Sequence, residues 1–240
     1  DLCGVISDTA FPSVKLPFLA PVGSKSGRWE WLPLDRNKIS LRLYTSGSTG
    51  DRKGVPKTLA NLEEEISVLE GTFGGRLGAC AVLSTVSHQH IYGLLFRLLW
   101  PLCAGRPFVS ETPLLWEELR GPSAVCLVSS PVHLDHACAT RRELKPPAGG
   151  RVIFSSGAPL AENTAAAFLE RWGLPVIEVF GSTETGGVGW RIQAGPQSSR
   201  LWTPLKGVTV SSLPDSLSSG RLRVSSAFAE SSSVKGWWPL

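Results

Sequence analysis

Between residues 124 and 180 the chain reads strand, helix, strand, helix, strand, and this rhythm constrains the fold more than any other feature. Residues 124–128, Ala-Val-Cys-Leu-Val, form the continuous apolar run that a strand buried on both faces requires. Ser129-Ser130-Pro131 follows. Serine hydroxyls cap helices and proline suits a first turn, which predicts a helix to about residue 140. Residues 151–154 read as a second strand and 161–172 as an amphipathic helix, with Gly173 at its C-terminal cap. Residues 176–180 supply a third strand. Repeated strand–helix–strand units predict an α/β fold, with mainly parallel sheets flanked by helices. Ligands of such sheets bind beyond the carboxyl ends of the strands, so chemistry is expected in the loops that follow them.

The flanking segments complete the outline. Residues 5–7 and 39–44 read as short strands. Residues 59–72 carry Leu59, Leu62, Ile66 and Leu69 at helical spacing, with Glu63, Glu64 and Glu65 expected on the opposite face and Asn61 or Thr58 as cap. Residues 79–85 read as a buried strand and 92–102 as an apolar helix ending near Pro101. From Trp202 onward, short alternating segments at 208–210 and 221–224 predict a small antiparallel β portion near the C-terminus. No internal repeat is present.

The first post-strand loop is the most chemical. Tyr44-Thr45-Ser46-Gly47-Ser48-Thr49-Gly50-Asp51-Arg52-Lys53-Gly54 combines hydroxyl side chains, glycines and cations. Glycine lets backbone N–H groups approach an anion, Ser and Thr add donors, and Lys and Arg add charge. The loop therefore reads as a polyphosphate cradle. It is not the P-loop of nucleotide hydrolases: counted from Gly47, Arg52 stands where the second glycine belongs and Gly54 where the metal-binding hydroxyl belongs. A plain flexible linker is the bland alternative, but the loop sits directly against an apolar strand and carries an ordered cation pair.

This loop closely resembles the phosphate-binding signature of the adenylate-forming (AMP-binding) superfamily, Tyr-Thr-Ser-Gly-Ser/Thr-Thr-Gly-x-Pro-Lys-Gly, with Arg52 in place of the usual proline. Three further segments resemble family motifs in the family's order. They are Ser87-His88-Gln89-His90-Ile91-Tyr92-Gly93, Ser155-Ser156-Gly157-Ala158-Pro159-Leu160, and Phe180-Gly181-Ser182-Thr183-Glu184. The likeness runs from about residue 41 to the C-terminus and is nearest to bacterial acyl-CoA synthetases.

The resemblance implies an AMP-forming acid–thiol ligase. A fatty, hydroxyacyl or aryl carboxylic acid would be activated by ATP with Mg²⁺, releasing pyrophosphate, and then pass to coenzyme A or a carrier-protein phosphopantetheine thiol. Thr45, Ser46, Gly47, Ser48, Thr49, Gly50 and Lys53 would hold the phosphates. Thr183 would bond the α-phosphate, and Glu184 would hold the metal. Gly157, Ala158, Phe180 and Gly181 would hold the nucleotide, and His90 would stand near the acyl carboxylate. The catalytic set implied is Lys53, His90, Thr183 and Glu184. The helix from Tyr92, Ser155-Ser156 and the segment 186–191 would wall the acyl pocket, with Trp190 as its floor. Residues 1–200 would form the ATP- and acyl-binding region and 201–240 a β-rich segment of the large N-terminal domain. A small lysine-bearing domain is expected outside these 240 residues. The rival readings are a non-catalytic nucleotide- or acyl-adenylate-binding module and an amino-acid adenylation domain of a peptide synthetase.

Composition narrows the partners. A net charge of +4 gives no electrostatic footprint for nucleic acid, and the nine tryptophans are scattered rather than interleaved with basic residues. The longest apolar run, 91–104, is broken by Arg97 and Pro101 and is too short to span a bilayer. Five cysteines without a C-x-x-C pair predict buried, reduced thiols in a cytoplasmic protein. His88-x-His90 lacks the further ligands of a zinc site, and His133 and His136 are expected on a helix surface. The sequence contains no methionine. A fragment of a longer chain or the loss of individual Met positions would produce this, so spacings between motifs count as approximate.

Overall fold

A computed structural model of the chain describes residues 5–6, 18–19, 35–46, 52–110, 125–139, 149–196, 198, 200–212, 221–229 and 234–237. The chain divides into two compact units, Asp1–Asp35 and Arg36–Leu240. In the first, β1 (Val5–Ile6) and β2 (Phe18–Leu19) pair in parallel. All further elements belong to the second.

The second unit begins with a hairpin, β3 (Ile39–Ser46) against β4 (Arg52–Thr58), in which Thr45 stands opposite Lys53. Sequence reasoning found β3 and missed β4, whose Gly, Pro and Lys content carries little strand propensity. Thr58 ends β4 and caps α1 (Leu59–Leu77). Its Oγ1 accepts from the Asn61 N–H at 3.1 Å while Asn61 Oδ1 accepts from the Thr58 N–H at 3.0 Å, so both expected cap residues act together.

The centre of the unit is a six-stranded mixed sheet in the order β10-β9-β8-β7-β6-β5. β5 (Ala81–Ser84), β6 (Val125–Ser129), β7 (Gly150–Ser155) and β8 (Val176–Ser182) run in parallel. β9 (Gly186–Gln193) turns back antiparallel on β8, and β10 (Thr203–Pro204) on β9. The chain between β5 and β6 forms a helix with three parts: α2 (Ile91–Gly93), a π-helical stretch at Leu94–Leu99, and α3 (Trp100–Cys103). Pro101 lies in the final turn rather than ending the helix. Arg97 is buried, donating to the carbonyls of Val86 at 3.1 Å and of Ser110. α4 (Pro131–Ala139) links β6 to β7, and α5 (Glu162–Trp172) links β7 to β8. Gly173, at φ 68°, adopts the left-handed cap expected of it.

The parallel strands divide their side chains between two cores, as a period of two requires. Val82, Cys126, Val128, Phe154 and Val179 pack toward α1 and the 91–103 helix, with Phe73, Phe96 and Trp100. Leu83, Leu127, Ile153 and Val176 pack toward α4 and α5, with Leu134 and Phe168. This is the reason the strands read as continuous apolar runs. A three-stranded antiparallel sheet of β11 (Thr209–Ser212), β12 (Arg221–Ser225) and β13 (Val234–Trp237) follows, as expected from the C-terminal pattern.

Two expectations need correction. Glu65 does not share the solvent face of Glu63 and Glu64; it is buried, because it stands three residues after Leu62 and four before Leu69 on the buried stripe. Cys103 is exposed, at the end of α3, whereas Cys80 and Cys126 are buried and Cys138 is half-buried; all four are free thiols. Cys3 lies outside the described residues. No helix among the described residues is long and apolar enough to cross a membrane.

Candidate active site

The carboxyl ends of β7 and β8 and the start of the helix that follows β5 surround two adjoining cavities. The larger, of about 280 Å³, is bounded by His90, Tyr92, Phe96, Thr183, Gly186 and Glu65, among others. The smaller, of about 220 Å³, lies between Gly157-Ala158 and the rings of Phe180 and Trp202. Ser156, Gly157, Val179 and Gly181 line both, so the two cavities adjoin.

Each wall has a local cause. Ser156 Oγ donates to the Val179 carbonyl at 2.7 Å, tying the turn after β7 to β8. The β8–β9 hairpin was not foreseen: Gly181 and Ser182 are still strand, and the turn occupies residues 183–185. It is closed reciprocally, the Ser182 N–H donating to Thr185 Oγ1 at 3.0 Å and the Thr185 N–H to Ser182 Oγ at 3.2 Å. That clasp holds Thr183 at the rim of the larger cavity. Gly186 follows at φ 68°, where an added Cβ would stand 2.6 Å from Glu65 Oε2, so both its conformation and its lack of a side chain are required.

The smaller cavity is braced by a chain of charge and rings. Glu178 and Arg191 face each other across β8 and β9, and Arg191 Nε donates to Glu178 Oε2 at 2.6 Å. The other carboxylate oxygen accepts from the Leu160 N–H at 2.8 Å. The Arg191 guanidinium lies 4.6 Å from the Trp202 ring centroid, and Trp202 meets Phe180 edge-on at 5.8 Å. A flat slot is thereby held open between an aromatic pair and a glycine turn.

The site residues anticipated from the sequence divide into three groups. His90, Gly157, Gly181 and Thr183 border the larger cavity, and Gly157, Ala158, Phe180 and Gly181 the smaller. Glu184 belongs to the same turn as Thr183 but borders neither cavity; its carbonyl accepts from Lys57 Nζ at 3.3 Å. Thr45 sits in β3 near its end. Gly47, Ser48, Thr49 and Gly50, with the side chains of Ser46 and Lys53, lie outside the described residues. Trp190, expected as the floor of the acyl pocket, borders neither cavity. It packs edge-on against Phe73 at 5.4 Å, with Arg76 5.7 Å above its ring. His88 is exposed, and His133 pairs Nδ1 with Ser130 Oγ at 3.0 Å.

Sequence reasoning missed two functional candidates, Lys57 and Glu65. Lys57 is buried, donating to the Phe228 carbonyl at 2.6 Å. Glu65 Oε1 accepts from the Gly187 N–H at 2.6 Å. Burial pushes the Glu65 carboxyl up to about 7, although the Gly187 N–H and the Lys57 charge pull the other way. Its spacing from Leu62 and Leu69 was the available signal.

The family model of AMP-binding enzymes matches residues 10–212. The chain belongs to this family. Sulfoacetate–CoA ligase of Cupriavidus necator is 32% identical over 170 residues, covering 68% of this chain and 32% of that protein. Propionate–CoA ligase of Salmonella typhimurium is 29% identical over 194 residues, covering 71% of this chain and 29% of that protein. The chain thus spans about a third of the length of these AMP-binding relatives. A solved malonyl-CoA ligase, in a ternary product complex with methylmalonyl-CoA and AMP, superposes with a TM-score of 0.76 at 23% identity, over 95% of this chain and 53% of that one. The architecture of the AMP-binding fold, mainly parallel strands flanked by helices with small antiparallel sheets, is therefore the one described above.

Proposed function

We propose that the protein activates a carboxylic acid with ATP, forming an acyl-adenylate and pyrophosphate, and then passes the acyl group to a thiol. The observation that carries this reading is the pair of adjoining cavities at the strand ends, a flat ring-walled slot and an apolar chamber that share four residues. A nucleotide base fits the first and an acyl group the second, with Thr183 at the rim of the second. The family membership and its CoA-ligase relatives support the same chemistry.

A carboxylate is a poor acyl donor because oxide is a poor leaving group. In the proposed step a carboxylate oxygen attacks the α-phosphorus, and the bond to the bridging oxygen breaks to release pyrophosphate. Both partners are anionic, so the site must offset their repulsion and hold them in line. Thr45, Ser46, Ser48, Thr49 and Lys53 hold the departing phosphates, Thr183 bonds the α-phosphate, and His90 faces the carboxylate. Phe180 and the Gly157-Ala158 turn hold the adenine. The open space over Gly157, where an added Cβ would meet nothing within 4 Å, fits a flat base. Among the described residues no cluster of three or more His, Cys, Asp or Glu gathers. Mg²⁺ binds through one or two carboxylates and substrate phosphates, and Glu184, beside Thr183 in the β8–β9 turn, would be the carboxylate. When bound, the ion neutralises phosphate charge.

The second step would transfer the acyl group to the thiol of coenzyme A, or of an acyl carrier protein, with AMP leaving. The free thiols of Cys80 and Cys126 fit a cytoplasmic setting. A screen for ATP–pyrophosphate exchange across fatty, 3-hydroxy, aryl and amino acids, on the complete protein, tests the proposal. Exchange that depends on an acid of the first three classes is expected. No exchange with any acid would overturn it.

A further inference from the structure

Two residues that border the larger cavity, Glu65 and Tyr92, each carry a buried polar atom without a hydrogen-bond partner among the described residues, and that of Glu65 is the one the hairpin is shaped around. Ile91, Leu95, Phe96 and Val179 make its walls largely apolar and aromatic. Glu65 borders it too, at 2% exposure, and uses only one carboxylate oxygen. Oε1 takes the Gly187 N–H, and Oε2 has no hydrogen-bond partner among the described residues. A buried acceptor left unpaired is costly, and proteins keep few of them without a reason. The hairpin is also shaped around this group. Gly186 adopts φ 68° with Glu65 Oε2 where a Cβ would stand. A residue that served only to fill space would be apolar here.

The local charge indicates what the group recognises. Lys57 is buried close enough to attract the Glu65 carboxylate and is anchored on the Phe228 carbonyl at 2.6 Å. Its charge offsets that of Glu65, so the pair does not call for a second cation such as a substrate ammonium. The unmet need is for one neutral hydrogen-bond donor. Tyr92 borders the same cavity, with its hydroxyl buried; burial raises its pKa well above the usual phenol, so it remains a neutral O–H.

We propose that Glu65 is a specificity-determining residue that accepts, at Oε2, a hydrogen bond from a hydroxyl group on the acid substrate, which is therefore an apolar or aromatic carboxylic acid bearing a hydroxyl. This rests on the larger cavity being the acid site. A site built around a substrate hydroxyl rejects the analogue that lacks it far more strongly than an apolar pocket rejects a missing methylene, because the protein's own polar group is then left unpaired.

The test uses matched acids in the exchange assay on the complete protein: 4-hydroxycinnamate against cinnamate, and 3-hydroxydecanoate against decanoate. The two pairs separate a phenolic from a hydroxyacyl source. In the wild type, one hydroxylated acid should exceed its partner in kcat/KM by about tenfold or more. In Glu65→Leu the ratio should fall toward one, because the hydroxylated acid loses more kcat/KM than its partner does. Glu65→Gln, which keeps the shape and the acceptor for Gly187, should give an intermediate ratio. Ratios near one for both pairs in the wild type overturn the inference even if the variants fail to fold. So does a ratio that survives Glu65→Leu, or a preference for 4-(aminomethyl)cinnamate, whose amine is an ammonium at neutral pH. Those outcomes leave the acid-activating reading intact, whereas no exchange with any acid removes both.

Discussion

The Glu65 carboxylate accepts the Gly187 backbone N–H at 2.6 Å and so fastens the helix after the β3–β4 hairpin to the hairpin that carries Thr183 and Glu184. Two segments far apart in sequence, each with one of the chain's chemical motifs, are joined by this contact and by Lys57 Nζ, which donates to the Glu184 carbonyl. Substituting Gly186 should disturb the Glu65 contact. Gly186→Ala introduces a Cβ into a left-handed backbone and against Glu65 Oε2. A loss of about 2 kcal/mol or more in urea unfolding is expected; a change below about 0.5 kcal/mol, the range of ordinary surface substitutions, would contradict this packing.

The same carboxyl predicts a pH dependence. Its pKa, about 7 in the folded protein, lies above its ordinary value of 4.5, so the native state holds the proton more tightly than the unfolded chain does. The stability it contributes is complete below about pH 4.5 and is lost as pH rises through about 7. Relative to Glu65→Gln, the wild type should therefore lose about 3 kcal/mol of unfolding free energy between pH 4.5 and 7.5. Parallel curves for the two proteins would mean that the carboxyl is not held in this way.

Arg191 supports the smaller cavity through both its charge and its flat guanidinium. Arg191→Ala leaves the Glu178 carboxylate, with 3% of its side chain exposed, without its cation and removes the support beneath Trp202. A cost of about 3 kcal/mol is expected, together with weaker AMP binding by calorimetry. Arg191→Lys should recover part of the stability and less of the AMP affinity, since an ammonium does not stack as a guanidinium does. Equal AMP affinity in all three proteins would exclude Trp202 from the nucleotide site.

Most of the central sheet was legible because its strands are buried on both faces and its helices carry their own caps. Val125 to Val128, Phe154 and Val176 announce themselves as apolar runs, and Thr58, Pro131 and Gly173 mark helix ends through local chemistry. What escaped was set by tertiary contacts. β4 is a strand because β3 pairs with it, not because Gly54, Pro56 and Lys57 favour one. β9 is glycine-rich where it passes Glu65 and Leu205, which hides it from propensity. Trp190 was assigned to the pocket from its place after the Thr183–Glu184 motif, but the alternation of β9 turns it toward Phe73. In the site, small and hydroxyl residues in loops were readable from their types, whereas Glu65 resembled its exposed neighbours and only the helical period set it apart.

The metal role proposed for Glu184 rests on the resemblance of residues 180–184 to the family's motif. Glu184→Gln removes the charge and keeps the shape. The Mg²⁺ concentration giving half-maximal exchange should rise about tenfold or more. Lys53→Ala and Thr49→Val should instead lower exchange at saturating Mg²⁺. An unaltered Mg²⁺ titration in the Glu184 variant would assign the metal elsewhere.

The central claim is that one ligand lies across both cavities. A crystal structure of the protein with a non-hydrolysable acyl-adenylate, an N-acylsulfamoyl adenosine, tests it most directly. Adenine is predicted between Gly157-Ala158 and Phe180, with the linking sulfamoyl group at Thr183 and the acyl chain beside Tyr92 and Glu65. An analogue bound with its acyl group outside the larger cavity, or with its base away from Phe180, would contradict the account.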